Sequence, residues 1–243
     1  MNIDGLEELI GWIGAFFTVC FYLYLIYPCV KTIKEKSFFE EKLVIDLSTF
    51  QINSFLWHIY GDMIFCDQIK ISYMIGSVIS YILMIIVFIN QIKKYLFNSI
   101  KNIVIIIFCS WGIFNSFNHK IDDEYLSGKF CLYFSFVFYL NPCCTIFNAI
   151  LNEDIDMIQI YKVIIYFLSS IFWLAYGIII WDYYIKVLNL IGALISFLHI
   201  LLYIIYKKKA PELTQIQNKK RKKKEALNKY QNNFEKSLRM FYI

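Results

Sequence analysis

The sequence predicts an all-α membrane protein in which seven transmembrane helices form two parallel three-helix repeats joined by a linker helix (3+1+3). Three observations carry this prediction. Hydrophobic residues make up 59% of the 243 residues, with 23 Phe and 19 Tyr against 3 Pro, and a soluble domain of that composition would expose too much apolar surface to water. Seven stretches are apolar enough to be membrane spans. One segment also recurs at a fixed distance along the chain.

Each predicted span is a mostly apolar run between charged clusters, close to the ~20 residues that cross a bilayer as a helix. Acidic residues, and no basic segment, precede the first span, so we predict a retained helix and not a cleaved signal peptide. The fourth run is short and holds several small polar residues, as expected of a linker helix. The spans are Leu6 to Val30, Leu43 to Tyr60, Ile71 to Asn90, Ile103 to Phe117, Phe130 to Leu151, Val163 to Trp181 and Val187 to Tyr206.

The recurring segment carries the motif Trp-x-x-Tyr-Gly, which begins at Trp57 and again 116 residues later at Trp173. A further glycine follows each tryptophan by 19 residues, at Gly76 and Gly192. A three-helix unit ends on the opposite side of the membrane from its start, so the fourth span restores the orientation and makes the two repeats parallel. We therefore divide the chain into a first repeat (6–92), a linker (93–129), a second repeat (130–206) and a basic tail (207–243).

Lysine and arginine predict the orientation. With the N-terminus extracytoplasmic and the C-terminus cytoplasmic, only Lys70, Lys120, Lys129 and Lys186 lie outside, which leaves 20 of the 24 basic residues inside. The basic run at 219–224 then belongs to a solvated tail or to a contact with anionic lipid. The net charge of +5 therefore needs no nucleic-acid partner to explain it.

The order of these elements resembles the SWEET sugar facilitators of the MtN3/saliva family, over about residues 11–206. In both repeats a proline-bearing first helix, with Pro28 or Pro142, precedes the helix that ends in Trp-x-x-Tyr-Gly. The family's third helix opens on Asn-x-x-Gly, which the second repeat keeps as Asn189 and Gly192, whereas Tyr73 replaces the asparagine in the first repeat.

The resemblance also shows two departures. The family prolines near the starts of the second and sixth helices appear here as Asp46 and Gln159. The resemblance further implies that Pro28 and Pro142 act as hinges at the cytoplasmic side of the path. A static kink is the alternative, because a proline removes one backbone hydrogen bond wherever it lies in a helix.

A central sugar pocket is the site that the resemblance implies. An indole face stacks on the apolar face of a sugar ring, and amides and hydroxyls bond its hydroxyl groups. Each tryptophan follows a small polar residue by four positions and so shares a helix face with it. The alternative for each tryptophan is an anchor at the membrane interface. The implied pocket residues are Trp57, Trp173, Asn53, Ser169, Asn189 and Tyr73.

These residues predict a passive uniporter for a mono- or disaccharide. Among the spans only Asp46, His58 and His199 are notable titratable groups, and neither histidine has a counterpart in the other repeat. A coupled transporter would need a deeply placed proton relay. We expect no enzyme activity, cofactor or metal site, because the sequence has no metal-ligand spacing, phosphate loop or activated nucleophile.

Two alternatives on the same seven-helix scaffold stay open. One is an amino-acid transporter of the PQ-loop type, and the other is a non-transporting cargo receptor of the KDEL-receptor kind. Proline is followed by cysteine and not by glutamine in both repeats, and the spans contain no arginine that would bind a peptide carboxylate. The expected location is the plasma membrane, with membrane lipid as a partner and a homo-oligomer left open.

Overall fold

The computed structural model describes residues 3–35, 41–91, 124–152 and 158–208, together with Val104. These residues form helices and no strand. The predicted fourth span, Val104 aside, and the basic tail lie outside the described residues. We number the described helices α1 (Ile3–Tyr24), α2 (Ile26–Lys34), α3 (Glu41–Met63), α4 (Asp67–Gln91), α5 (Glu124–Asn152), α6 (Ile160–Ile179) and α7 (Tyr183–Lys208).

The described helices coincide with the predicted spans to within a few residues. Two ends differ: α5 begins at Glu124, inside the segment predicted as linker, and Trp181 lies in the turn after α6 and not in the helix. Within the part of the chain that the structure describes, five helical stretches are long and apolar enough to cross a membrane, namely Gly5–Lys34, Asp67–Val87, Ser127–Leu151, Ile160–Ile179 and Tyr183–Lys208. The described helix α3 corresponds to a predicted span but is not among these five stretches. It buries the polar residues Asp46, Gln51 and Asn53 inside the bundle.

The first span is interrupted only at Leu25, whose backbone stays in the right-handed helical region, and the fifth is continuous, although both contain the repeat's proline. α1 ends at Tyr24, and the helix resumes as α2 after Leu25. Pro28 has no N–H to donate to the carbonyl of Tyr24, four residues earlier, and this accounts for the break. Pro142 lies within α5 without interrupting it. The two prolines therefore have different local consequences.

Within the first repeat, α4 packs against both α1 and α3, so the third helix of the repeat lies between the first two. Between the repeats, α1 packs against α6 and α3 packs against α5. The first helix of each repeat thus contacts the second helix of the other. This exchange places α1, α3, α5 and α6 around the central axis, where a path between the repeats is expected.

The motif glycines are required by the turn that follows them. A Cβ added to Gly61 would lie 2.6 Å from the backbone nitrogen of Lys70, and one on Gly177 would lie 2.9 Å from that of Lys186. Each glycine therefore lets the next helix begin directly against its own. Each turn also contains a residue with a left-handed backbone conformation, Phe65 in the first repeat and Trp181 in the second.

The later glycines make room for tyrosine side chains and not for a second backbone. A Cβ on Gly76 would lie 2.3 Å from the ring of Tyr22, and a Cβ on Gly192 would lie 2.9 Å from the hydroxyl of Tyr139. Tyr22 and Tyr139 belong to the first helices of their repeats. Gly76 and Gly192 therefore serve the packing of the first helix of a repeat against the third.

Candidate transport path between the repeats

A small central cavity lies between the two repeats. Its volume is about 30 Å³, which holds about two waters and is too small for a sugar ring. Polar hydroxyls and amides alternate with aromatic rings around it, the mixture that recognises a sugar. The cavity is lined by Thr18, Phe21, Tyr22, Asn53, Trp57, Tyr73, Ser135, Phe138, Tyr139, Tyr166, Ser169, Leu188 and Asn189.

Five of the six predicted pocket residues line this cavity: Trp57, Asn53, Ser169, Asn189 and Tyr73. Trp173 does not line it. Its ring packs against Gly14, where an added Cβ would lie 3.1 Å away, and it is only 1% exposed. The interface-anchor alternative fits neither tryptophan, since Trp57 is also buried. A role in sugar binding stays a prediction for all six residues.

The two tryptophans are held by two separate hydrogen-bond relays of the same design. Trp173 donates its Nε1–H to Thr18 at 2.8 Å, and Thr18 shares a hydrogen bond with Ser169 at 2.8 Å. Trp57 donates to Ser135 at 3.3 Å, and Ser135 donates to Asn53 at 2.8 Å.

Each indole therefore reaches a hydroxyl on the first helix of the other repeat. That hydroxyl is in turn hydrogen-bonded to the residue four positions before the tryptophan. Sequence comparison alone did not find Thr18 and Ser135. They are 117 residues apart and not 116, and they differ in type.

Tyr73 and Asn189 occupy corresponding positions at the cavity. The Tyr73 ring stacks on Trp57, with centroids 5.8 Å apart and planes inclined by 21°. Asn189 donates its amide to the carbonyl of Ile185 on its own helix and lines the cavity. The phenol therefore extends the aromatic surface where the other repeat offers an amide.

Two hydrogen bonds between the repeats close the end of the path beside the Trp-x-x-Tyr-Gly turns, which we call the outer end after the predicted orientation. The Tyr60 hydroxyl donates to the Asp182 carboxylate at 2.5 Å. Tyr176, the counterpart of Tyr60, shares a hydrogen bond with the Cys66 thiol at 3.1 Å. Cys66 and Asp182 are themselves 116 residues apart. At corresponding positions, a tyrosine hydroxyl thus pairs with a carboxylate in one case and with a thiol in the other.

The thiol side of this closure is neutral. Burial raises the pKa of the Cys66 thiol, although the Tyr176 hydroxyl acts in the opposite direction. A neutral thiol is a weak hydrogen-bond partner. Cys66 and Cys131 are both free thiols.

An aromatic constriction bounds the central cavity on its inner side. We use that name for Phe21, Phe50, Phe138 and Tyr166, which come from α1, α3, α5 and α6. Their rings form a closed cycle of contacts with centroids 5.2 to 5.9 Å apart. Three of the four, all but Phe50, line both the central cavity and a second cavity below it.

The second, inner cavity is larger, at about 100 Å³. Pro142 lies in its wall, whereas Pro28 does not. His199 also lines it, and its Nδ1 pairs with the carbonyl of Ile195. His58 lies outside both cavities, with its Nδ1 against the carbonyl of Lys70, as expected for a packing histidine.

The geometry defines a polytopic membrane protein with two three-helix repeats around a central path. Residues 125–211 match the family MtN3_slv, described as a sugar efflux transporter for intercellular exchange. The chain is 25% identical to the sugar transporter SWEET1 of Drosophila pseudoobscura pseudoobscura, over 82% of this chain and 89% of the relative. It is 22% identical to the bidirectional sugar transporter SWEET7b of Oryza sativa subsp. japonica, over 86% and 81%.

A solved structure of a eukaryotic SWEET transporter has the same fold. The TM-score is 0.71 at 16% sequence identity, and the match covers 84% of this chain and 99% of that one. The family match, the named relatives and this fold together support membership of the SWEET (MtN3/saliva) family.

Proposed function

We propose that this protein is a passive sugar uniporter that works by alternating access through the central cavity. The observation that carries the proposal is the cavity itself, where aromatic faces and hydroxyl or amide groups from both repeats meet at their interface. Related proteins are named as sugar transporters, and the composition of the cavity fits the same class of substrate.

Facilitated diffusion is the mechanism that this cavity supports. Among the described residues, its wall contains no carboxylate, lysine, arginine or histidine. A proton-coupled carrier needs such a group where the substrate binds or nearby. Asp46 lies beyond the aromatic constriction, in the inner cavity. Sugar movement should therefore follow the sugar gradient alone.

Alternating access requires each end of the path to open while the other stays closed. Inter-repeat contacts bridge both ends: Tyr60 to Asp182 at the outer end, and Lys162 to Asp46 at the inner end. Opening either end separates one of these pairs and enlarges a central cavity that is now too small for a sugar ring. We propose the α1–α2 break before Pro28 as one hinge for this movement, with Pro142 in α5 as the second.

Counterflow into liposomes containing the purified protein tests the function. A panel of labelled glucose, fructose, sucrose and neutral amino acids should show exchange of a sugar and of no amino acid. Imposed proton or sodium gradients should leave the final sugar distribution at equilibrium. Accumulation that collapses with a protonophore would refute the passive mechanism, and amino-acid exchange without sugar exchange would favour the PQ-loop alternative.

Tyr73 is proposed to set the size of the substrate. A phenol stacked on Trp57 fills space that an amide would leave open, and it has one hydroxyl in place of two amide donors. We expect a preference for monosaccharides over disaccharides. Tyr73→Asn should raise the sucrose-to-glucose ratio in counterflow, and Asn189→Ala should lose transport of both. An unchanged ratio in folded Tyr73→Asn protein would remove Tyr73 from the binding site.

The plasma membrane, with the N-terminus outside and the C-terminus in the cytoplasm, is the proposed setting. Tags at the two ends should be accessible from opposite sides in intact cells. The same side for both tags would contradict the odd number of spans.

A further inference from the structure

The inner cavity holds an ion pair that central sugar binding leaves unexplained. The Lys162 ammonium lies 3.5 Å from a carboxylate oxygen of Asp46, and the two side chains are only 22% and 10% exposed. Asp46 lies on α3 and Lys162 on α6, so the pair joins the two repeats. The two positions are 116 residues apart, and they are therefore counterparts across the pseudo-two-fold axis.

The pair is spaced more loosely than a direct charge-assisted hydrogen bond. Such bonds are commonly about 2.7–2.9 Å long, against 3.5 Å here. Two largely buried charges lose much of their hydration. A hydroxylated ligand would bind both groups at once. Its hydroxyls donate to the Asp46 carboxylate, and their oxygens accept from the Lys162 ammonium.

The surroundings of the pair combine further polar groups with aromatic faces. Thr49, Asn141, Gln159 and Ser196 line the same cavity. The aromatic constriction forms its boundary toward the centre, and the Lys162 ammonium lies 5.1 Å from the centroid of the Phe50 ring. A sugar ring presents an apolar C–H face and an edge of hydroxyls, and this cavity offers a partner for each.

We infer that Asp46 and Lys162 form an inner sugar subsite, separate from the central cavity and reached from the end of the bundle that carries Asp46. The ligand class is a neutral sugar with adjacent hydroxyls, one of which bridges the carboxylate and the ammonium. This inference rests on the proposed function, since it places a second sugar position on the same path. The sugar waits there before the aromatic constriction opens.

Kinetics measured separately in each direction test the subsite. The variant Asp46→Asn/Lys162→Met removes both charges and leaves no unpaired charge buried, so it should fold. We expect its half-saturation concentration for glucose entering from the Asp46 side to rise about tenfold. For glucose entering from the opposite side, where only the loss of the inter-repeat contact acts, the rise should be several times smaller, and equal rises in both directions would refute the subsite. Size-exclusion profiles in detergent confirm that the protein compared is folded.

A charge swap, Asp46→Lys/Lys162→Asp, separates a sugar subsite from a simple bridge between helices. The swap restores an ion pair, but Asn141 and Gln159 keep their places, so the hydrogen-bonding pattern no longer matches the sugar. We expect the swapped protein to stay impaired from the Asp46 side. Recovery of the wild-type half-saturation would show that the pair only bridges the helices, and would overturn the subsite.

Transport by the wild type distinguishes a failure of the inner subsite from a failure of the proposed uniporter function. If the wild type exchanges glucose and the neutral double variant has unchanged half-saturation in both directions, the subsite is refuted and the uniporter stands. If the wild type exchanges no sugar but carries a zwitterionic amino acid that binds the two charges separately, the proposed function fails, and the sugar subsite fails with it.

Discussion

The two repeats share one backbone plan and differ in the chemistry at corresponding positions. At the outer end, Tyr60 donates to a carboxylate and Tyr176 pairs with a thiol. At the cavity, a phenol on one side faces an amide on the other. At the inner end, an aspartate opposes a lysine. The comparison shows that the duplication preserves geometry more strictly than it preserves charge or polarity.

The preserved geometry has an identifiable cause in the motif. A helix that ends in Trp-x-x-Tyr-Gly places an indole and a phenol about one turn apart, with a bare backbone directly after the phenol. The glycine admits the next helix. Both turns then use a left-handed non-glycine residue, Phe65 or Trp181. Positions that set the path of the backbone therefore recur, and positions that meet a partner across the axis have diverged.

The largest expected effect comes from the motif glycines. Gly61→Ala would place a methyl 2.6 Å from a backbone nitrogen that cannot move away, whereas the corresponding distance for Gly177→Ala is 2.9 Å. We expect Gly61→Ala to abolish folded protein and Gly177→Ala to reduce its yield. Gly5→Ala is the matched control, because nothing lies within 4 Å of its added Cβ. Normal detergent profiles for Gly61→Ala would show that this close approach is not required.

Replacing each tryptophan by alanine should have a different effect. Trp57 lines the cavity and Trp173 does not. Trp57→Ala should lose sugar transport in protein that still folds. Trp173→Ala should first lose stability, because deleting a buried indole costs about 3–5 kcal/mol.

Trp173→Phe is the control, since it keeps most of the ring volume and gives up only the hydrogen bond to Thr18. It should recover folded, transporting protein. Transport rates normalised to the folded fraction separate the two outcomes. Folded Trp57→Ala protein that transports at the wild-type rate would exclude a stacking role for this indole.

The helices and the repeat were predictable from sequence because both depend on local pattern. Apolar run length fixes the spans, and the 116-residue offset aligns Trp, Tyr and Gly directly. The partners across the axis were not predictable. Asp46 and Lys162 correspond by position but carry opposite charges, so a comparison of residue types finds no match. The position of Trp173 depends on how α6 is rotated, which its sequence does not determine.

The outer closure offers a smaller test of the comparison. Hydrogen bonds to charged groups are worth about 1.5–3 kcal/mol, against about 1 kcal/mol or less for a neutral pair. Tyr60→Phe should therefore raise the population open at the outer end about tenfold or more, and Tyr176→Phe by less than about fivefold.

Spin labels carried by unnatural amino acids at positions 65 and 181 report this opening. Both side chains are highly exposed, at 94% and 83%, so labels should not disturb the packing. Distance distributions in detergent and in lipid measure the open fraction. Equal shifts for the two variants would mean that the carboxylate contributes no more than the thiol.

The smallest expected effect lies in the two turns. Phe65 has φ 55° and Trp181 has φ 58°, a region that costs an ordinary residue about 1–2 kcal/mol and that asparagine tolerates better. Phe65→Asn should raise the melting temperature in detergent by about 2–4 °C. Trp181→Asn should raise it less, because the Lys186 ammonium lies 5.3 Å from the Trp181 ring centroid and that cation–π contact would be lost. Adding Lys186→Met to both proteins removes the contact in advance, so the two turns should then gain equally from asparagine. A persistent difference would mean that the turns, despite matching φ values, are not equally strained.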